Sequence, residues 1–190
     1  MNKIVYRTAA SLNGYIADDA GSLAWLFAVG RAGGDDGHEA FLTNVGAIVE
    51  GSNTYEWVLH ETDVLARPGQ WQTLYGTRPT FVFTSRSLTA PEGADVRFCR
   101  GVVTAHLQQI RAAAGGKNIW VVGGGDLAGQ FLDADALDEL TLTVAPVALA
   151  GGAPLLPRRI ESDRLTLTSV TQRGQFAELV YRCGRSAATA

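Results

Sequence analysis

The chain has 190 residues, 46% of them hydrophobic and 18% charged, with a formal net charge of −3 and two cysteines. A chain of about this length folds as one domain without staples, and Cys99 and Cys183 exclude a disulfide framework or a C-x-x-C zinc or redox site. Scattered arginines with only Lys3 and Lys117 as lysines exclude a basic nucleic-acid face, and no apolar run reaches the ~18 residues of a membrane span.

The opening MNKIVYRTAA lacks a signal-peptide core, so a cytoplasmic location is expected, with no nucleic-acid or membrane partner. The chain reads as a single domain over residues 1–185, with 186–190 as a short tail. Glycine stands at 22 of 190, above the ~7% average. Its placement follows the elements.

Residues 3–10 alternate and are β-rich, and 11–21 (SLNGYIADDAG) read as a loop from Asn-Gly and Asp-Asp-Ala-Gly. Residues 35–44 carry N-cap candidates and helical spacing, 46–50 (GAIVE) form a short buried strand, and 52–60 form a helix after Gly51. A polar stretch over 67–79 with Pro68-Gly69 reads as an exposed excursion before the strand 80–84 (TFVFT). Residues 104–114 form a helix stopped by Gly115-Gly116, followed by a strand at 119–122, then Gly123-Gly124-Gly125 and a helix over 126–132. Three closing strands, 140–147, 164–172 and 176–182, have no helix between them, and Arg173-Gly174-Gln175 marks a hairpin. The expected fold is α/β, with a mixed and mostly parallel sheet flanked by helices and antiparallel strands at its C-terminal edge.

Three strand ends carry small hydrogen-bond donors. In VVGGGDLA, Gly123, Gly125 and Ala128 match G-x-G-x-x-A between strand and helix, where glycines let backbone approach a phosphate at a helix start. The next strand ends in Ala145-Pro146 rather than an acid, which disfavours a Rossmann unit. Gly51-Ser52-Asn53-Thr54 opens one helix, and Thr84-Ser85-Arg86 adds hydroxyls and a guanidinium that pairs phosphate. Each alone is also a helix cap or a turn. Jointly they favour a dinucleotide across the carboxyl edge of the sheet.

The run 121–157, VVGGGDLAGQFLDADALDELTLTVAPVALAGGAPLLP, with SLNGYIA, GSNTYE and RPTFVFTSR, resembles the dihydrofolate reductase superfamily, and most closely the reductase domain of riboflavin biosynthesis. The resemblance implies a mixed sheet flanked by helices, NADPH as hydride donor, and a homodimer. It places Gly51, Ser52, Asn53 and Thr54 at the cofactor's phosphates. Thr84, Ser85 and Arg86 fall at the adenosine end with its 2′-phosphate, and Gly123, Gly124, Gly125, Asp126 and Leu127 at the pyrophosphate and the approach to nicotinamide. Ala9 and Ala10 fall beside the nicotinamide ring, under the 11–17 loop.

The chain departs from that pattern on the substrate side. Asn13 replaces the aspartate of S-L-D-G, Val122 stands where a glutamate is common, and the D-D-P segment is missing after the G-S-x-T helix. Asn13 and Asp36 are the substrate-side candidates for catalysis, with helix capping as the other reading of Asp35 and Asp36. The companion deaminase motifs H-x-E and P-C-x-x-C are absent, which excludes zinc deamination. His38, His60 and His106 lack metal-ligand spacing, G-x-S-x-G is absent, and Asp133, Asp135, Asp138 and Glu139 read as a solvated helix end.

The expected activity is an NADPH-dependent reductase passing hydride to a C=N or C=O of a small heterocyclic or ribosylamino substrate. The resemblance points to a substrate like 5-amino-6-(5-phosphoribosylamino)uracil. The alternatives are a dihydrofolate or pterin reductase, and an NADPH-binding homologue without catalysis. No metal is expected.

Overall fold

The apolar runs of the sequence become the centre of one sheet in the computed structural model, which describes residues 2–30 and 37–185. In chain order the elements are β1 (Ile4–Ser11), β2 (Tyr15–Ala17), α1 (Ala24–Phe27), α2 (His38–Thr43), β3 (Val45–Gly51), α3 (Ser52–Glu61), α4 (Gly69–Tyr75) and β4 (Thr80–Phe83). They continue with β5 (Val96–Cys99), α5 (Leu107–Ala113), β6 (Asn118–Gly123), α6 (Gly125–Asp133), β7 (Glu139–Ala145), β8 (Ala153–Pro154), β9 (Leu165–Arg173) and β10 (Phe176–Cys183). The eight-stranded sheet has the order β5-β4-β3-β6-β1-β7-β10-β9. From β5 to β7 the neighbours run parallel, and β10 then pairs antiparallel with both β7 and β9.

The parallel strands are apolar on both faces because helices cover both. Val49, Val121 and Tyr6 pack on one face with Leu127, Ala128 and Phe131 of α6. Ile48 and Trp120 pack on the other with Tyr55 and Val58 of α3. Inside α6 the apolar positions recur one and four residues apart, the spacing of one helical stripe.

Two expectations are corrected. The polar 67–79 excursion contains α4, whose Trp71 and Tyr75 are 1% and 4% exposed. These residues stand four apart, so both face inward and meet edge to face at 4.8 Å in the second core. The acids at 133–139 are not a solvated helix end. Asp138 accepts the Ile4 amide at 2.8 Å, Glu139 pairs with Lys3, Asp135 with Arg164 and Asp133 with Arg158, so they anchor the start of β1 and the long final loop.

The 11–21 loop is also more ordered than its turn signals imply. It contains β2, which pairs antiparallel with β8, and the Gly14 carbonyl accepts the Leu155 amide at 2.8 Å. The edge strand β5 had no expectation, its four residues being short and split by Arg97. The expected helix start at 35, Asp35 and Asp36, and the tail from 186 lie outside the described residues.

Candidate active site

The chain leaves β3 through α3 toward β4 on one side, and leaves β6 through α6 toward β7 on the other. In an open parallel sheet, such a divergence of neighbouring exits opens a crevice at the carboxyl ends of the strands. Here β3 and β6 are adjacent, and Glu50 stands opposite Gly123 in register. Because α3 and α6 cover opposite faces, both of their N-termini meet at this crevice. Neither is capped by a side chain among the described residues: α3 starts from Gly51 and α6 from Gly124. Unpaired amides at a helix start favour an anion.

Backbone proximity explains the residue types. A Cβ on Gly51 would stand 3.4 Å from the Gly124 amide nitrogen, and one on Gly123 would stand 3.2 Å from Thr54 Oγ1. A Cβ on Gly124 would meet nothing within 4 Å, so open space lies in front of the α6 amides. Gly125 has a different cause, since a Cβ there would fall 2.3 Å from the Pro154 carbonyl oxygen and 2.4 Å from that of Leu155. Of the three glycines, this one is required by the close passage of the β8 segment over α6.

The structure brings Gly51, Ser52, Thr54, Gly123 and Gly124 together at the crevice, with Ala9 and Ala10 closing the adjoining end of β1 opposite Thr143 and Val144. Beyond Ser52 lies a cleft of about 320 Å³ lined by Ser52, Phe83, Thr84, Ser85, Arg100, Gly101 and Gln130. Thr84 shapes it from within, its hydroxyl oxygen accepting the Arg86 amide at 2.9 Å, while Ser85 is exposed.

Five other expected residues, Arg86, Asn53, Asp126, Leu127 and Asn13, are engaged elsewhere. The Arg86 guanidinium is 2.6 Å from Glu56 and donates to Asn53 Oδ1 at 2.8 Å, so this pair braces the outer side of α3. Asp126 is 3.0 Å from Arg158 and accepts from Gln130, which together hold its carboxyl below the usual range, Gln130 contributing most. Leu127 is buried in the core. Asn13 donates to the Leu149 carbonyl at 2.7 Å, and its Oδ1 accepts the Ser11 hydroxyl at 2.9 Å and the Leu149 amide at 3.0 Å. Its amide therefore ties the turn after β1 to the segment after β7.

Sequence reasoning missed Glu50. It is fully buried at the end of β3, where its Oε1 accepts the Tyr75 hydroxyl and its Oε2 has no hydrogen-bond partner among the described residues. Burial pushes its pKa from 4.5 up to about 7, against the smaller opposing pull of the Tyr75 hydrogen bond. The signal was present as one acid closing an apolar run immediately before a glycine.

A second polar group is built on Arg7 of β1. Arg7 Nη1 is 3.1 Å from His38 Nδ1, and Arg7 Nη2 is 3.7 Å from Glu178, which Arg173 also pairs at 3.0 Å. A guanidinium only donates, so His38 Nδ1 carries a lone pair and the proton sits on Nε2. Among the described residues no cluster of three or more histidine, cysteine or acidic side chains could hold a metal.

A doubly wound mixed sheet with antiparallel closing strands and a glycine-lined crevice at its switch point defines a dihydrofolate reductase-like reductase fold. The chain belongs to the RibD C-terminal domain family, whose model matches residues 2–177. It is 36% identical over 182 residues to YwjB of Bacillus subtilis, a protein of uncharacterized function, covering 94% of this chain and 97% of that one. Its fold is similar to that of a putative riboflavin biosynthesis protein from Shewanella sp. PV-4, with a TM-score of 0.74, 29% identity and coverage of 97% and 100% of the two chains. A Thermotoga maritima protein shares the fold at 13% identity and a TM-score of 0.63, over 96% of this chain and 57% of its own. That protein is a diaminohydroxyphosphoribosylaminopyrimidine deaminase/5-amino-6-(5-phosphoribosylamino)uracil reductase. Among the described residues no helix is long and apolar enough to cross a membrane.

Proposed function

We propose that the protein is an NADPH-dependent reductase of a small heterocyclic or ribosylamino substrate bearing a C=N or C=O group. The observation that carries the reading is the convergence of two uncapped helix N-termini, at Gly51 and Gly124, on one crevice with open space before Gly124. The same glycines fit a phosphorylated dinucleotide, since a side chain at Gly51 or Gly123 would crowd the backbone and hydroxyl that form the cradle.

When bound, NADPH supplies the hydride. The first amides of α3 and α6, with Ser52 and Thr54, would hold its phosphates in the favourable end of each helix dipole. Thr84 and Ser85 would line the adenosine end. Ala9 is half-buried and Ala10 fully buried at the end of β1, and their side chains alternate across the sheet, so small side chains there would leave room for a planar ring close to the backbone. Glu50 precedes Gly51 directly, and its burial, which outweighs the opposing pull of the Tyr75 bond, keeps it neutral below about pH 7, which would spare the phosphates a like charge beside them. Asn13 acts as a positioning residue, holding the loop beside the end of β1 through three hydrogen bonds.

The substrate class rests on membership of the RibD C-terminal domain family. The test is a titration with NADPH followed by oxidation assays against aminopyrimidine ribosylamines, dihydrofolate and simple carbonyls. Saturable binding with turnover of an aminopyrimidine supports the reading. Turnover of dihydrofolate alone selects a pterin reductase, and binding without any turnover selects a non-catalytic NADPH binder.

The functional unit is proposed to be a homodimer joined through β9. Leu167 and Val170 on this edge strand are 49% and 62% exposed, and an uncovered edge with β-branched residues invites pairing. Sedimentation showing a monomer at micromolar concentration would contradict it.

A further inference from the structure

We infer that Arg100, rather than Arg86, is the residue that reads a phosphomonoester on the ribose of the dinucleotide, and so sets the preference for NADPH over NADH. This rests on the dinucleotide reading above and deepens it at one end of the site.

The two arginines differ in what their guanidinium groups already do. Arg86 is committed to Glu56 at 2.6 Å and Asn53 at 2.8 Å and does not line the cleft. Arg100 lines the cleft, and its guanidinium has no hydrogen-bond or ion-pair partner among the described residues. A planar fork of donors with no internal partner is suited to bidentate contact with a phosphate.

The backbone that carries Arg100 is braced at the strand end. The Arg100 carbonyl accepts from His106 Nε2 at 2.9 Å, which requires a proton on that nitrogen. The His106 ring packs edge-on against Phe83, itself a wall of the cleft, at 5.4 Å. The Thr84 amide donates to the Cys99 carbonyl at 2.9 Å, tying the exit of β4 to that of β5 just before Arg100. Gly101, with φ of +86°, then turns the chain away. Arg100, itself exposed, therefore follows a braced strand end and lines, with the exposed Ser85, a cleft of about 320 Å³.

The chemistry that fits is a dianionic monoester flanked by a guanidinium and a hydroxyl. An unesterified ribose hydroxyl gains little from such a pair, because the gain comes from charge-assisted bonds.

The experiment uses the full chain and three probes, NADPH, NADH and 2′,5′-ADP, titrated calorimetrically against the wild type and R100A, R100K and R86A. Removing a hydrogen bond to a charged group weakens binding by about 10- to 100-fold. R100A is expected to lose about that much affinity for NADPH and 2′,5′-ADP while its affinity for NADH stays unchanged. R100K is expected to fall between, since an ammonium gives charge without the fork. R86A is expected to weaken NADPH and NADH equally, by freeing Asn53 and α3, and to keep the preference. A preference retained in R100A, or abolished in R86A, overturns the inference and leaves the dinucleotide site standing. A wild type that binds neither nucleotide overturns both.

Discussion

The hydroxyl of Tyr75 donates its hydrogen bond to Oε1 of Glu50, joining a helix at the surface of the second core to the last buried residue before the Gly51 cradle. The carboxyl is fully buried, and among the described residues its other oxygen has no partner, so the charged form is disfavoured and the pKa rises to about 7.

This gives stability a pH dependence of definite sign. In the unfolded chain Glu50 loses its proton near 4.5, and in the folded chain only near 7. Between those values the unfolded state gains stability by ionising, so this group's share of folding stability falls as pH rises from 4.5 to 7 and is flat above. Glu50→Gln keeps an acceptor for Tyr75 and cannot ionise. Its melting temperature should match or fall below that of the wild type at pH 4.5 and exceed it at pH 8, by the equivalent of about 1–3 kcal/mol. A difference independent of pH would contradict the assignment.

Tyr75→Phe should act in the opposite sense on the same group. Without the hydroxyl both Glu50 oxygens are unpaired, which costs about 1–3 kcal/mol. The pH-dependent fall in stability should extend to higher pH than in the wild type, because the bond that favours the carboxylate is gone. Denaturant unfolding at pH 6, 7 and 8 checks both points.

Much of the fold was legible in the sequence, and the parts that were not share a physical cause. GAIVE, TFVFT and the strand before Gly123 are β-rich runs bounded by glycine or helix signals, so strand and helix alternation could be read directly. In α4, Trp71 and Tyr75 are set in a polar segment behind Pro68-Gly69, and only tertiary packing against Tyr55 reveals their inward face. The crevice residues were legible because glycines and hydroxyls followed strands. Arg100 was not, because its place depends on β5 lying beside β4, a contact between segments that no local pattern encodes. Arg86 is the arginine that the resemblance puts at the 2′-phosphate, and Glu56, one helical turn beyond Ser52, holds it instead.

Gly125 provides a test of packing as distinct from ligand binding. A methyl group there would run into two backbone carbonyls, of Pro154 and Leu155, that cannot swing aside as a side chain can. Gly125→Ala should therefore cost about 1–3 kcal/mol in the free protein, the usual range for overpacking. An unchanged melting temperature would mean that the glycine is not needed for the passage of β8.

Asn13 tests the loop beside the end of β1. Aspartate at this position keeps the two acceptor contacts to Ser11 and Leu149 but loses the donor and turns a carboxylate oxygen toward the Leu149 carbonyl. Asn13→Asp should lower stability by about 1–2 kcal/mol. Amide exchange at Leu149 should also speed up, while exchange in β6 stays as in the wild type. Equal exchange at Leu149 in both proteins would remove the positioning role.

The central claim is that the crevice between β3 and β6 binds a phosphorylated dinucleotide, and calorimetric titration of NADPH into the full chain tests it most directly. The account predicts saturable binding at one molecule per chain, with a melting temperature that rises as NADPH is added. A folded protein that gives no binding heat and no thermal shift at millimolar NADPH would contradict it.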